Sequence, residues 1–241
     1  MLRRYPTLIL GLTIVWTCQP QAAAESVGQL RGDPAAIERV TKMLDQMGGA
    51  DMWARSGHLY TEQSGWFTGP SEAAMNFAWR SLVSPARHAH IVGRHTDTIH
   101  VVNDTESWTS RKGVVTEMSA DDHARQQETW QNGSYTMLAR LARGDQALQL
   151  EFVEPHRVRI LDEDGEEISW YDINEYGHWM KWGQQSSNGT PLEYVYGPMR
   201  DFGNIRFPAW GAATDASWRY NYDVVRLRFE PIPAKLLQRT D

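Results

Sequence analysis

The chain has 241 residues, 22% of them charged, with 30 Asp and Glu against 24 Lys and Arg and a net charge of −6. This acidic balance argues against nucleic acid as a partner, because gripping a phosphate backbone needs a basic face. The lone cysteine, Cys18, excludes an internal disulfide and a thiolate metal cluster, so stability has to come from an apolar core.

Arg3 and Arg4 precede an apolar stretch from Leu8 to Trp16, and a short polar region then ends in Ala22, Ala23 and Ala24. These three zones predict a cleavable secretory signal over residues 1–24, cut near Ala24; the apolar run is too short to cross the ~30 Å hydrocarbon core of a bilayer. A lipoprotein anchor at Cys18 is disfavoured, since Val15, Trp16 and Thr17 stand where such a signal wants a leucine and a small residue. Losing Arg3 and Arg4 and no acid takes the net charge from −6 to −8. The remaining chain is cysteine-free, which fits a bacterial periplasm better than the N-x-[ST] triplets at Asn103, Asn132 and Asn188 fit glycosylation. Residues 25–241 are expected to form one domain with no integral membrane span.

Asp33 and Pro34 read as N-cap and first residue of a helix whose stripe is Ile37, Val40, Leu44 and Met47, stopped by Gly48 and Gly49. Met52 and Trp53 extend the same contact. From His58 to about Arg111 the pattern alternates, with breaks at Gly69-Pro70, Ser84-Pro85, Asp97 and Asn103-Asp104, and predicts an antiparallel meander. Within it Met75, Phe77 and Trp79 share a greasy face, and Asn76 and Arg80 share a mixed one. Between Ser119 and Gly144 the alternation gives way to two helical stretches, broken at Asn132-Gly133, the second carrying Tyr135, Leu138, Leu141 and Ala142 on one side. Alternation resumes at Leu148, Leu150 and Phe152. It continues through Val158 and Ile160, a tight turn at Asp164-Gly165, then Ile168 and Trp170, a further run to Trp182, another from Leu192, and a last from Trp218 to Val224. The sum is a mainly β protein of the α+β class. It should form a strongly curved antiparallel sheet, an incomplete barrel of about nine to eleven strands, with an N-terminal helix and a mid-chain helical insertion over the concave face.

Chemistry-bearing groups do not assemble into a known motif. His88, His90, His95 and His100 are dense enough to raise a metal-dependent hydrolase, but no acid follows at the spacing an H-x-H metal site uses, and a solvent-facing strand explains them. The carboxylate pairs Glu151 with Glu154 and Asp172 with Glu175 diverge along a strand. No G-x-S-x-G motif and no phosphate-cradling glycine loop is present. Asp162, Asp164 and Gly165 lack the register of a calcium loop and read as an acidic hairpin tip. No cofactor is expected.

The informative feature is tryptophan: eleven in all, only Trp16 of them in the signal segment. Each has a large apolar body and one N–H needing a partner, so this number fills a core, lines an apolar hollow, or both. A sheet of about ten strands cannot fill its concavity with one short helix, which leaves the 119–143 helices as occupant or lid.

The order of elements, with Gly48, Gly49 and Trp53 after the first helix, the Asn103-Asp104 turn before Trp108, and the run Asp201 to Pro208 ahead of the last strands, resembles the LolA/LolB/LppX-like superfamily of periplasmic proteins. The resemblance covers nearly all of the mature chain on short motifs; the chain is longer than the lipoprotein carrier LolA, and none of that protein's functional residues carries over. It implies a LolA-like half-barrel with an apolar cavity for a lipid, an acyl chain or a lipoprotein, and a non-enzymatic binding, carrier or sensing role, with a lipid or an envelope protein as partner. Strand parity nominates Met75, Phe77, Trp79, Leu150, Phe152, Trp170, Trp182 and Tyr220 for the cavity, with Leu138 and Leu141 on its lid. The alternatives are a sensor or interaction protein whose cavity is filled by its own side chains, and a hydrolase using the His88/His90 strand.

Overall fold

The computed structural model describes residues 29–66, 72–185 and 191–239. The signal segment with Cys18, the Gly69-Pro70 break and the Asn188 triplet lie outside the described residues.

The chain opens with helix α1 (Pro34–Gln46), started by its proline. Asp33 precedes it but makes no side-chain cap; its Oδ2 instead accepts the Phe152 N–H at 2.9 Å and ties the helix start to an edge strand. Val40, Met43, Leu44 and Met47 form its buried stripe. Gly48 and Gly49, at φ 101° and 93°, turn the chain into a second short helix, α2 (Ala50–Arg55), whose buried Trp53 donates its indole N–H to Met47 O at 3.1 Å.

Six strands follow as an antiparallel meander: β1 (His58–Trp66), β2 (Ala74–Ser81), β3 (Arg87–Gly93), β4 (Asp97–Val102), β5 (Ser107–Arg111) and β6 (Val114–Glu117). The expected helical insertion is α3 (Ala120–Trp130), capped by the Ser119 hydroxyl accepting the Asp122 N–H, and α4 (Ser134–Arg143), closed by Gly144 in the left-handed region. A second meander comprises β7 (Gln149–Val153), β8 (Arg157–Leu161), β9 (Glu167–Ile173), β10 (Trp179–Gln184) and β11 (Leu192–Tyr196). A small separate hairpin, β12 (Met199–Asp201) with β13 (Arg206–Pro208), precedes β14 (Trp210–Ala213) and the long β15 (Arg219–Arg228).

β15 pairs with β1, which joins the two meanders into one antiparallel sheet of thirteen strands, with β6 at one edge and β7 at the other. The two edges do not pair, so the curved sheet is an incomplete barrel, mainly β, of the kind the sequence predicts. The strand number exceeds that expectation because β6 and β14, four residues each, are too short to display an alternation.

The inner face of this sheet is shared between two kinds of neighbour. At one end α1, α2 and α4 pack against it, and Leu138 and Leu141 of α4 join Val158, Ile160, Ile173 and Trp179 in a single buried cluster. Trp179 is the hub of its aromatic part, 4.1 Å from Tyr196 and 5.5 Å from Tyr171 between ring centroids. The other end of the inner face lies beneath α3 and the start of α4, and is not filled.

Candidate functional site

That unfilled end is a cavity of about 410 Å³, within the size range of small-molecule sites. The pleat builds it: alternate residues of β1 to β4 line one wall, alternate residues of β10, β11 and β15 the opposite wall, and the α3–α4 junction roofs it. The two walls differ in chemistry.

The β10–β11–β15 wall is aromatic. Trp182 stacks on Tyr194 at 5.3 Å and 9°, Tyr194 meets the edge of Trp218 at 4.7 Å, and Trp218 stacks on Tyr220 at 5.3 Å and 21°. The indole N–H of Trp182 is satisfied by Ser169 Oγ at 2.9 Å, so this ring offers the cavity a purely apolar face. A Cβ on Gly211 would lie 2.6 Å from the Tyr220 hydroxyl oxygen; only a glycine in β14 lets that ring lie so close to the backbone. Burial raises the ionisation of Tyr194 and Tyr220 above the ordinary phenol range, so both stay neutral.

The β1–β4 wall is polar. Asn76 Nδ2 donates to Gln63 Oε1 at 2.9 Å, leaving Asn76 Oδ1 buried with no protein partner. Arg80 donates to Thr61 Oγ1 at 2.9 Å and lies 5.2 Å over the Tyr135 ring. Arg87, its cross-strand partner in register, also lines the cavity and keeps an exposed side chain. The protein crowded around it, and then the charge of Arg80, lower the Arg87 guanidinium from its ordinary value. His100 is pushed down to about 4 by burial and next by Arg87 and Arg111, so it is neutral at pH 7; it makes a 3.1 Å hydrogen bond with Thr109 Oγ1. Among the described residues no Asp or Glu lines the cavity.

The roof is held at both sides. Trp130 Nε1 donates to Ser81 O at 3.1 Å, and Gln127 Nε2 to Asn103 O at 2.9 Å. His123 Nδ1 pairs with Ser107 Oγ at 2.7 Å. At the far end of α4, Arg143 donates to Leu82 O and Ala54 O at 2.8 and 3.0 Å. Tyr135 reaches down from the roof to share a short hydroxyl contact with Tyr222. None of the α3 residues is buried, whereas most of α4 is.

Of the residues nominated from strand parity, the structure brings Trp182 and Tyr220 to the cavity. Leu138, Leu141 and Leu150 are buried in the helix-packed part of the core, and Phe152 packs against it under the Arg39 guanidinium. Met75, Phe77 and Trp79 lie on the outer face: Trp79 packs on Tyr60 and His88, and the register pairs Phe77 with His90. Trp170 is also on the outer face, laid over Gly183 beneath Arg157. The leucines and Phe152 miss the cavity because the helices pack over their part of the core, and the others because their face turns outward. Parity tells which residues share a face but not which face turns inward, and on β2 the inward face is the mixed one. The cavity residues absent from the nomination are Asn76, Arg80, Arg87, Tyr194, Trp218 and the Trp130–Tyr135 roof.

The histidine stretch does not converge. His88 Nδ1 pairs with Leu236 O at 2.7 Å and His90 Nε2 with Asp97 Oδ1 at 2.8 Å, both on the outer face, while His100 is on the inner wall. Among the described residues no three His, Cys, Asp or Glu are grouped to hold a metal ion. The carboxylates of Glu151 and Asp172 are ion-paired with Arg159 and Arg157 on the outer face. Asp162 Oδ1 accepts the N–H groups of Asp164 and Glu166, so its carboxylate shapes its own hairpin tip.

No protein-family model matches the chain, and no curated protein does. Three solved structures show a distant likeness. A DUF1329 family protein from Desulfovibrio piger aligns at 8% identity and TM-score 0.46, over 84% of this chain and 97% of its own. A putative outer membrane lipoprotein-sorting protein domain from Vibrio parahaemolyticus aligns at 8% and 0.44, over 84% and 96%. An uncharacterized conserved protein from Thermus thermophilus aligns at 10% and 0.37, over 86% and 93%. At such distances the function of the cavity has to be read from its own residues.

Proposed function

We propose that the protein is a binding or carrier protein for a ligand with an apolar chain, held in the inner cavity beneath the α3–α4 roof and working in the bacterial envelope. The observation that carries this reading is the 410 Å³ hollow with an aromatic wall of Trp182, Tyr194, Trp218 and Tyr220. A buried methylene contributes about 0.8 kcal/mol, so roughly ten of them along this wall give ~8 kcal/mol, from which the cost of ordering the ligand is subtracted. Affinity in the micromolar range is the expected result. Export rests on the 1–24 segment, and among the described residues no helix is long and apolar enough to cross a membrane.

A carrier or binding role is favoured over a sensor with a self-filled cavity by the hollow itself, which α1, α2 and α4 leave open at this end. An enzymatic role has less support: His88, His90, Glu151 and Asp172, singled out in the sequence, are occupied in separate pairings. Titration with fatty acids and phospholipids, followed by tryptophan fluorescence, tests the proposal. Trp130, Trp182 and Trp218 border the cavity, so a saturable change at micromolar ligand is expected; a flat response across both ligand series refutes it.

A further inference from the structure

We propose that the ligand is an acidic amphiphile, whose carboxylate or phosphate head lies between Arg80 and Arg87 while its apolar chain runs along Trp182, Tyr194 and Trp218. This rests on the reading of the cavity as a site for an apolar chain, and adds to it the chemistry of the head.

Four observations support the head-group site. Arg80 and Arg87 are direct cross-strand partners on β2 and β3, both on the inner face, and like charges placed opposite each other destabilise a sheet. Neither has a carboxylate. Arg80 has one hydrogen bond, to Thr61, and its stacking on Tyr135, and Arg87 has neither a hydrogen bond nor an ion pair among the described residues. Among the described residues no acid borders the cavity although the chain carries 30, whereas Arg55, Arg125, Arg140, Arg157, Arg159, Arg206 and Arg239 each have an acidic partner elsewhere. Two guanidinium groups held side by side without an acid repel each other, so the pair is complementary to an anion that enters from solvent. Finally, Asn76, farther along the same wall, has a buried amide oxygen without a partner among the described residues. The Asn76–Gln63 amides keep their mutual hydrogen bond if both turn over together, which exchanges that acceptor for an N–H, so the wall serves either a head-group oxygen or a hydroxyl.

The planar fork of arginine matches the oxygens of carboxylate and phosphate equally, so the head is defined as an oxyanion on a chain. Its neighbours reinforce the choice of sign. His100, on the strand beyond Arg87, is neutral and adds no competing charge, while the carboxylates nearest in sequence, Glu72 and Asp97, are occupied, Glu72 by the His95 N–H and Thr96 and Asp97 by His90. The cavity is therefore polar and cationic on one wall and aromatic on the other, which fits a ligand with the same polarity.

The test uses the full mature protein and four probes: dodecanoate, dodecyl phosphate, dodecanol and inorganic phosphate, with affinities from calorimetry or tryptophan fluorescence. At least one of the two acids is expected to bind about tenfold or more tighter than dodecanol, and inorganic phosphate more weakly than dodecyl phosphate. Which acid binds tighter identifies the head. Arg87→Gln is expected to remove about tenfold of the acid affinity and to lower the dodecanol affinity much less, with Arg87→Lys retaining part of the preference. A thermal melt of each variant confirms folding. The wild type supplies the same answer without a variant, since added sodium chloride is expected to weaken acid binding and leave dodecanol alone. If dodecanol binds as tightly as both acids, the head-group site is overturned while the apolar-chain site stands. If inorganic phosphate binds as tightly as dodecyl phosphate, the amphiphile is overturned. If none of the four binds, both readings fall.

Discussion

Leu138→Ala and Trp218→Ala, made separately, distinguish the packed end of the inner face from the hollow end. Leu138 is fully buried between helix α4 and the sheet. Truncation removes three carbons at about 0.8 kcal/mol each and leaves a space that the clamped helix cannot close, for a total loss of about 3–4 kcal/mol. In a domain of roughly 200 residues each kcal/mol moves the melting temperature by about 2–4 °C, so a fall of roughly 6–16 °C is expected. Trp218 is the larger side chain, but one side of it borders the cavity, and its aromatic partners among the described residues are the Tyr194 and Tyr220 rings. Losing two such contacts at ~0.5–1.5 kcal/mol each amounts to about 1–3 kcal/mol in stability. Urea unfolding measures both, and a ligand titration is expected to show the reverse order, with Trp218→Ala the more damaging. If Trp218→Ala costs as much stability as Leu138→Ala, Trp218 is a core residue and the reasoning that separates the two ends of the sheet is wrong.

Three further outcomes are expected. Because His100 is held down to about 4 by burial and by Arg87 and Arg111, the unfolded chain takes up a proton near 6.5 that the folded chain refuses until about 4. Its contribution to stability is therefore full above pH 6.5 and lost as the pH falls from 6.5 towards 4; melts across that range should drop more in wild type than in His100→Gln, and parallel curves would contradict this. Asp33→Ala removes the acceptor of the Phe152 N–H and should cost about 1 kcal/mol in urea unfolding, whereas no loss would show that the helix start is held by its backbone bridge. Arg159→Gln breaks ion pairs with Glu151 and Glu167 on the outer face and should cost no more than about 1 kcal/mol while leaving ligand affinity intact; a loss of binding would place this face in the site.

Much of the fold could be read from the residues. The α1 stripe, the two-part insertion with Ser119 as cap, and the Asp164-Gly165 hairpin all depend on short-range periodicity and turn chemistry, which a single sequence carries. The site was harder to read for two physical reasons. Assigning the greasy face of β2 inward assumed that apolar residues always face the concavity. In fact Phe77 and Trp79 are half-buried on the outer face, and the cavity wall is built from the polar set opposite. The pairing of Arg80 with Arg87 depends on the register across the Ser84-Pro85 connection, which is set by tertiary packing and has no local signature. The tryptophans divide accordingly. Trp53 and Trp179 are core, Trp130, Trp182 and Trp218 border the cavity, and Trp79 and Trp170 lie on the outer face.

Mass spectrometry of an organic extract from natively purified protein addresses the cavity most directly. About one apolar-chain amphiphile per protein is expected, above the level extracted from an unrelated exported protein purified in parallel. An extract no richer in lipid than that control would contradict the assignment of this cavity to an apolar chain.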